Sequence, residues 1–442
     1  MTTRRVVVTG LGVVSSLGIG REAYFNALLE GRIGIDRITA FNPSTFPCHI
    51  AAEVAPFKMN QYIPKSYRKS NKLMSRDIAL AVVAADQAIR DANLMTKGID
   101  PDQPPGFDPT RSGVSIGAGL ICCDLVELAG AAEHAVEAET FSLKKWGTEG
   151  MAALTPLWLL KYLPNMLSCH ISIIHDLQGP SNSVTCAEAS GQLAIGEAYN
   201  MIAHDKADLM IAGGAESKVN PIVLLRQCFL KRTANNCNET PEDACRPFDA
   251  KADGTVVGEG AGIVILESLE HALNRNAPIY AEVKGFGASS NFSTDFVEPE
   301  AEGTGIAIAL QKALARASLD PGEIDLLVPS GTAVPSHDRA EANALKSCFG
   351  ETLSNIPAFA TKSQIGNTGA AAPALDLITT VLAMREHRIP KAQNCESVPD
   401  GYGLMMNNQE VTSCMMNHGA TTCYTYGGQT AAMVVSRYEE GG

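Results

Sequence analysis

No stretch of the 442 residues reaches the roughly 18–20 uninterrupted apolar residues that a bilayer span needs. Aromatic side chains make up only 6% of the chain, against 39 glycines, which favours closely packed α/β layers over an all-β sandwich. Basic residues are the minority: 35 Lys and Arg face 48 Asp and Glu, a formal charge of −13. That balance argues against a nucleic-acid partner and against general attraction to an anionic membrane. The twelve cysteines include no Cys-x-x-Cys pair, and Cys122 and Cys123 are adjacent. Cys48–His49 and Cys169–His170 lack a second ligand pair at zinc spacing, so no disulfide framework, metal or cofactor is expected. The opening MTTRRVVVTGLGVV has a basic lead, but its apolar run is brief and studded with Gly. It reads as a buried first strand rather than a signal peptide, and the expected location is cytoplasmic.

What is present is a repeated alternation. Arg5–Thr9, Gly113–Ile116, Asp208–Ala212 and Gly262–Leu266 are continuous apolar or β-branched runs, as expected of strands covered on both faces. A second set follows at Ile279–Val283, Ile324–Val328, Ala358–Ala360 and Ala431–Val435. Helical patterns lie between them at Gly191–His204, Gly303–Ala317, Arg339–Cys348 and Ala370–His387. The alternation predicts an α/β fold with parallel, doubly covered sheets, in two similar halves at 1–267 and 268–442. Thr140–His170 breaks the pattern and reads as an insertion, and Ile99–Thr110 reads as a surface loop.

The most informative stretch runs from Gly179 to Glu216. It predicts a strand over Asn182–Thr185, a turn of small residues, and a helix opening near Glu188. Backbone N–H groups and the helix dipole at such a turn stabilise an anion, a setting for a nucleophile or oxyanion. Glu188 occupies that elbow, and an ionised glutamate there is expected to cap the helix. Cys186, two residues earlier on the strand, reads as structural.

Gly179-Pro180-Ser181, Ser190-Gly191 and Ala212-Gly213-Gly214-Ala215-Glu216 resemble the active-site block of β-ketoacyl synthases. Arg246-Pro247-Phe248-Asp249 and Gly258-Glu259-Gly260-Ala261-Gly262 continue the resemblance, which runs from Thr9-Gly10 to Gly427-Gly428. It implies a thiolase-like fold with two βαβ halves in a five-layer αβαβα core. In that family the elbow carries an acyl-accepting cysteine, and two histidines assist decarboxylation and attack. Here the corresponding positions are Glu188, Ser330 and Asn367. Neither Ser330 nor Asn367 can carry a positive charge, though Asn367 can donate to an oxyanion. Lys362 and Asp376 keep the family's residue types, and fit an inherited ion pair as readily as catalysis. The family's glycine-rich gate is altered, with Tyr424 and Tyr426 in Tyr424-Thr425-Tyr426-Gly427-Gly428. His337 is expected to be a loop or cap residue and His418 a structural one.

The loss of all three reactive positions resembles the chain-length factors of polyketide and polyene systems. These are non-condensing subunits that pair with a catalytic ketosynthase. The resemblance implies such a partner and an acyl carrier protein, with 117–125 and 188–192 as candidate interface positions. Lys65, Arg68, Lys69, Lys72 and Arg76 form a basic run in an acidic chain. It reads as a solvated helix face or, for Lys65, Arg68 and Lys69, as a docking patch for the acidic carrier. Two alternatives stay open: an acyltransferase or malonyl decarboxylase using Glu188, and a homodimeric binder of acyl chains or acyl carrier protein.

Overall fold

The computed structural model describes residues 3–291, 293, 297–425 and 428–439. In the first half the main strands are β1 (Val6–Ser15), β2 (Ser112–Ala118), β3 (Ser181–Val184), β4 (Leu209–Ser217) and β5 (Glu259–Ser268). The second half supplies β6 (Ala281–Ser290), β7 (Leu326–Val328), β8 (Pro357–Ala358), β9 (His418–Tyr424) and β10 (Gln429–Ser436). The principal helices are α1 (Arg76–Asp91), α2 (Met166–His175), α3 (Ser190–Ala203), α4 (Thr304–Ala317), α5 (Pro335–Phe349) and α6 (Ala372–Glu386).

The strands run side by side in the order β8-β7-β9-β10-β6-β1-β5-β4-β2-β3. Within the first half, β2 is parallel to β3 and β4, while β5 is antiparallel to both β4 and β1. The second half repeats the arrangement: β7 is parallel to β8 and β9, and β10 is antiparallel to β9 and β6. The two halves meet where Val6–Val8 pair with Ala281–Val283. The expected all-parallel sheets are therefore mixed. A run of apolar residues reports that a strand is covered on both faces, but not its direction.

Layering follows from which helices are buried all round. In α6 every residue from Ala372 to Met384 is buried, as a helix packed on two sides requires. It packs with α3 between the sheets, contacting β5 on one side and β9 on the other. Helices α1 and α2 cover the outer face of the first half, and α4 and α5 that of the second. The result is the α/β, five-layer thiolase-like arrangement that the resemblance implies.

A shared device fixes the outer helices. The first strand of each half carries Gly-x-Gly just after a register shift, at Gly10–Gly12 in β1 and Gly285–Gly287 in β6. A Cβ at Gly12 would lie 1.9 Å from the Ala84 carbonyl oxygen of α1, and one at Gly287 would lie 1.9 Å from that of Ala309 in α4. Only glycine permits either helix to approach so closely.

Two surfaces are left uncovered. Among the described residues, strand β3 is paired on one side only, with β2. The segment between β2 and α2 contains short helical turns with exposed Leu120, Val126, Phe141, Leu143 and Leu157. No helix of the described residues is long and apolar enough to cross a membrane.

Candidate functional site

The polar chemistry collects outside the carboxyl ends of β2, β3, β4 and β7, where parallel strands leave a crevice. After β3 the chain turns through Ala187, whose φ of +43° is rare for a side-chain-bearing residue. Ser190 ties this turn together. Its hydroxyl accepts from the Cys186 N–H and donates to the Ala187 carbonyl, each at 2.7 Å. A short 3₁₀ turn, Ala187–Ala189, then leads into α3.

Glu188 lies on that turn and is buried. It makes no side-chain cap to α3, contrary to expectation. Its Oε1 instead accepts from Lys218 Nζ at 2.5 Å, and Lys218, just past β4, is also buried. A neighbouring full charge outcompetes the partial charge of a helix end. Burial pushes the Glu188 carboxyl up, but the charge and hydrogen bond of Lys218 outweigh it and hold it at about 2. On the other side of Lys218, burial pushes the Glu216 carboxyl up while the ammonium opposes the rise. Glu216 Oε2 accepts from the Ala370 N–H at 2.7 Å.

Ser330, Lys362 and Asp376 form a separate network. Lys362 Nζ donates to the Ser330 carbonyl at 2.6 Å and lies 3.3 Å from Asp376 Oδ2. Thr361 donates to Asp376 at 2.5 Å. The backbone N–H groups of Ser330 and Gly331 go to the Glu341 carboxylate at 2.8 and 2.9 Å. Lys362 thus ties the turn after β7 to α6. Asn367 is anchored by its N–H to the Val256 carbonyl at 2.7 Å, and its Oδ1 accepts from Gly369 at 3.0 Å.

Glu188 and Asn367 face a common cavity of about 20 Å³, room for roughly one water. Arg232, Thr255, His337 and Tyr424 also line it. Glu188 Oε2 and Thr255 Oγ1 are buried and have no hydrogen-bond partner among the described residues. His337 is not a loop residue as expected. Pro335 starts α5 early, which puts His337 in the first helical turn, buried, with Nε2 3.3 Å from Glu298 Oε2. The sequence reading also passed over Lys218 and Arg232. A glutamate in a buried elbow needs a cation, and that requirement was the signal available.

The remaining expected residues are dispersed. Cys186 is half-buried, and burial pushes its thiol up, away from the thiolate form a nucleophile needs. His418 Nδ1 bonds the Ser436 hydroxyl at 2.7 Å on adjacent strands. Tyr424 is buried in the cavity wall, while Tyr426 lies outside the described residues. Lys65, Arg68 and Lys69 are exposed on a 3₁₀ helix, Lys65–Leu73. Arg76 leaves that patch, because it starts α1 and pairs with Glu259 at 2.6 Å. Residues 188–192 are buried between the sheets, so they are withdrawn as interface positions, whereas Leu120, Asp124 and Leu125 are exposed. Among the described residues no cluster of His, Cys, Asp or Glu is placed to hold a metal ion.

Chemically, the elbow offers a carboxylate locked to Lys218, and neither Ser330 nor Asn367 carries a group that titrates near neutrality.

The family profile described as beta-ketoacyl synthase, N-terminal domain, matches residues 3–272, and its C-terminal counterpart matches 280–396. The 3-oxoacyl-[acyl-carrier-protein] synthase 2 of Coxiella burnetii is 35% identical, with 99% of each chain covered. A solved beta-ketoacyl synthase from Burkholderia phymatum is 29% identical with a TM-score of 0.85, covering 99% of this chain and 100% of that one. The solved ishigamide ketosynthase/chain length factor is also 29% identical, with a TM-score of 0.82 and the same coverage. With matched profiles over both halves and a full-length relative at this identity, the chain belongs to the β-ketoacyl synthase family.

Proposed function

We propose that this chain is a non-condensing member of the family. It acts as a chain-length factor beside a catalytic ketosynthase in fatty acid or polyketide assembly. The observation that carries the reading is the buried Glu188–Lys218 pair at 2.5 Å, which occupies the elbow where the family places its acyl-accepting thiol. Ser330, whose carbonyl and N–H are held by Lys362 and Glu341, and Asn367, whose Oδ1 accepts from Gly369, stand where the family's histidines would assist. The ishigamide relative is a ketosynthase/chain length factor, which fits the same role. An unpaired β3 edge and the exposed apolar segment beside it supply a surface for a partner of the same fold. Lys65, Arg68 and Lys69 serve the acidic carrier protein, and the division at 267/268 separates the two repeats.

The decarboxylase alternative is less well supported. A carboxylate held at about 2 by Lys218 is a poor proton acceptor near neutrality. Malonyl- and acyl-carrier-protein turnover by the isolated chain separates the readings. The proposal expects neither condensation nor decarboxylation above background. Turnover that disappears in Glu188→Ala would establish the alternative instead.

A further inference from the structure

A larger cleft of about 700 Å³ opens near the Glu188 cavity, between Arg76, Asp77, Cys122, Tyr162, Ser217 and Val219. Ser217 and Val219 line this cleft, while Lys218 between them turns the other way and reaches Glu188. The segment carrying Lys218 is fixed, since its N–H donates to the Gly258 carbonyl at 3.1 Å. Its stem lies against Gly369, where a Cβ would come within 2.6 Å of Lys218 Cε and 1.8 Å of Glu216 Oε2. Gly369, at φ +61°, leaves the room that the stem and the Glu216 carboxyl occupy. Lys218 thereby sits among Glu188, Glu216 and bare backbone, its butyl stem filling space beside the elbow.

We infer that Lys218 is a specificity-determining residue that closes this chain's own site to an acyl chain. Its stem occupies the space beside Glu188, and the flanking carboxylates pin it there. An alkyl chain could enter only by expelling a buried ammonium from its partners, which desolvation makes costly. This rests on the reading that the elbow is the family's acyl-accepting position, and it adds a physical barrier to the missing nucleophile.

The test is binding of dodecanoyl-pantetheine and acetyl-pantetheine by calorimetry to the full chain and two double variants. Glu188→Ala/Lys218→Ala removes the pair and its bulk, and leaves the Glu216 carboxyl on the Ala370 N–H. It should bind the dodecanoyl probe about tenfold more tightly than the parent, with the acetyl probe unchanged. Glu188→Gln/Lys218→Met keeps the volume without the charges, and should gain nothing. Equal affinity of the alanine variant and the parent overturns the inference, as does an equal gain in the Gln/Met variant, which would make charge rather than bulk the barrier. Co-purification of the alanine variant with a ketosynthase is scored in parallel. Retained pairing without a gain in affinity removes the barrier alone and leaves the functional reading standing, whereas loss of pairing in the parent itself removes that reading.

Discussion

Glu188 carries most of the account at the residue scale. Its carboxyl sits at about 2 in the fold, because Lys218 offsets the cost of burial. An unperturbed glutamate titrates near 4.3, so folding favours the ionised form. The contribution is complete above about 4.3 and is lost as pH falls toward about 2, an effect of about 3 kcal/mol. Glu188→Gln is therefore expected to lose about that much stability at neutral pH, with the gap to the parent narrowing below pH ~4. Urea denaturation followed by tryptophan fluorescence at a series of pH values measures it. A gap that stays constant down to pH ~3 would mean that the pair does not hold the charge as described.

Among the elements, the two halves are kept alike by the close approach of α1 to β1 and of α4 to β6. Gly12→Ala and Gly287→Ala each place a methyl 1.9 Å from a helix carbonyl. Each should cost about 1–3 kcal/mol or more, and by similar amounts. Gly130→Ala, which meets nothing within 4 Å, is the control and should be neutral or stabilising. Thermal unfolding midpoints compare the three, and a harmless Gly287→Ala would break the proposed equivalence. The basic 3₁₀ helix gives a second expectation at this scale. Charge reversal of Lys65, Arg68 and Lys69 to Glu should abolish carrier-protein binding measured at low salt, where steering is strongest. Unchanged binding leaves only a solvated face. Much of this layer was legible in sequence, because strands covered on both faces must be continuously apolar, as Val6–Val8 and Ile263–Leu266 are. Strand direction was not legible, since β5 and β10 look the same whichever way they run. Nor was the Gly-x-Gly equivalence, which depends on where a helix comes down. The strand–turn–helix order around Glu188 was legible from its small residues, with the turn at Ala187–Ala189. Lys218 was missed and His337 was read as a loop or cap residue, because their roles depend on where β4 ends and α5 begins, distances that no spacing in the chain encodes.

At the scale of the whole molecule, the family fold is kept over both halves, and the proposed role rests on what its elbow now holds. Lys362, Asp376 and Glu341 bind the turn after β7 to its neighbours, so that turn is held whether or not it takes part in chemistry. Strand β3 keeps an open edge, and a fold retained with such an edge fits a subunit whose work is done in company. The central claim, partnership with a catalytic ketosynthase, is tested most directly by affinity purification from the native host at near-physiological salt, with mass spectrometry of whatever binds at equal stoichiometry. The account predicts a ketosynthase that carries the elbow cysteine and both histidines. Recovery of this chain alone, as a homodimer, would contradict it.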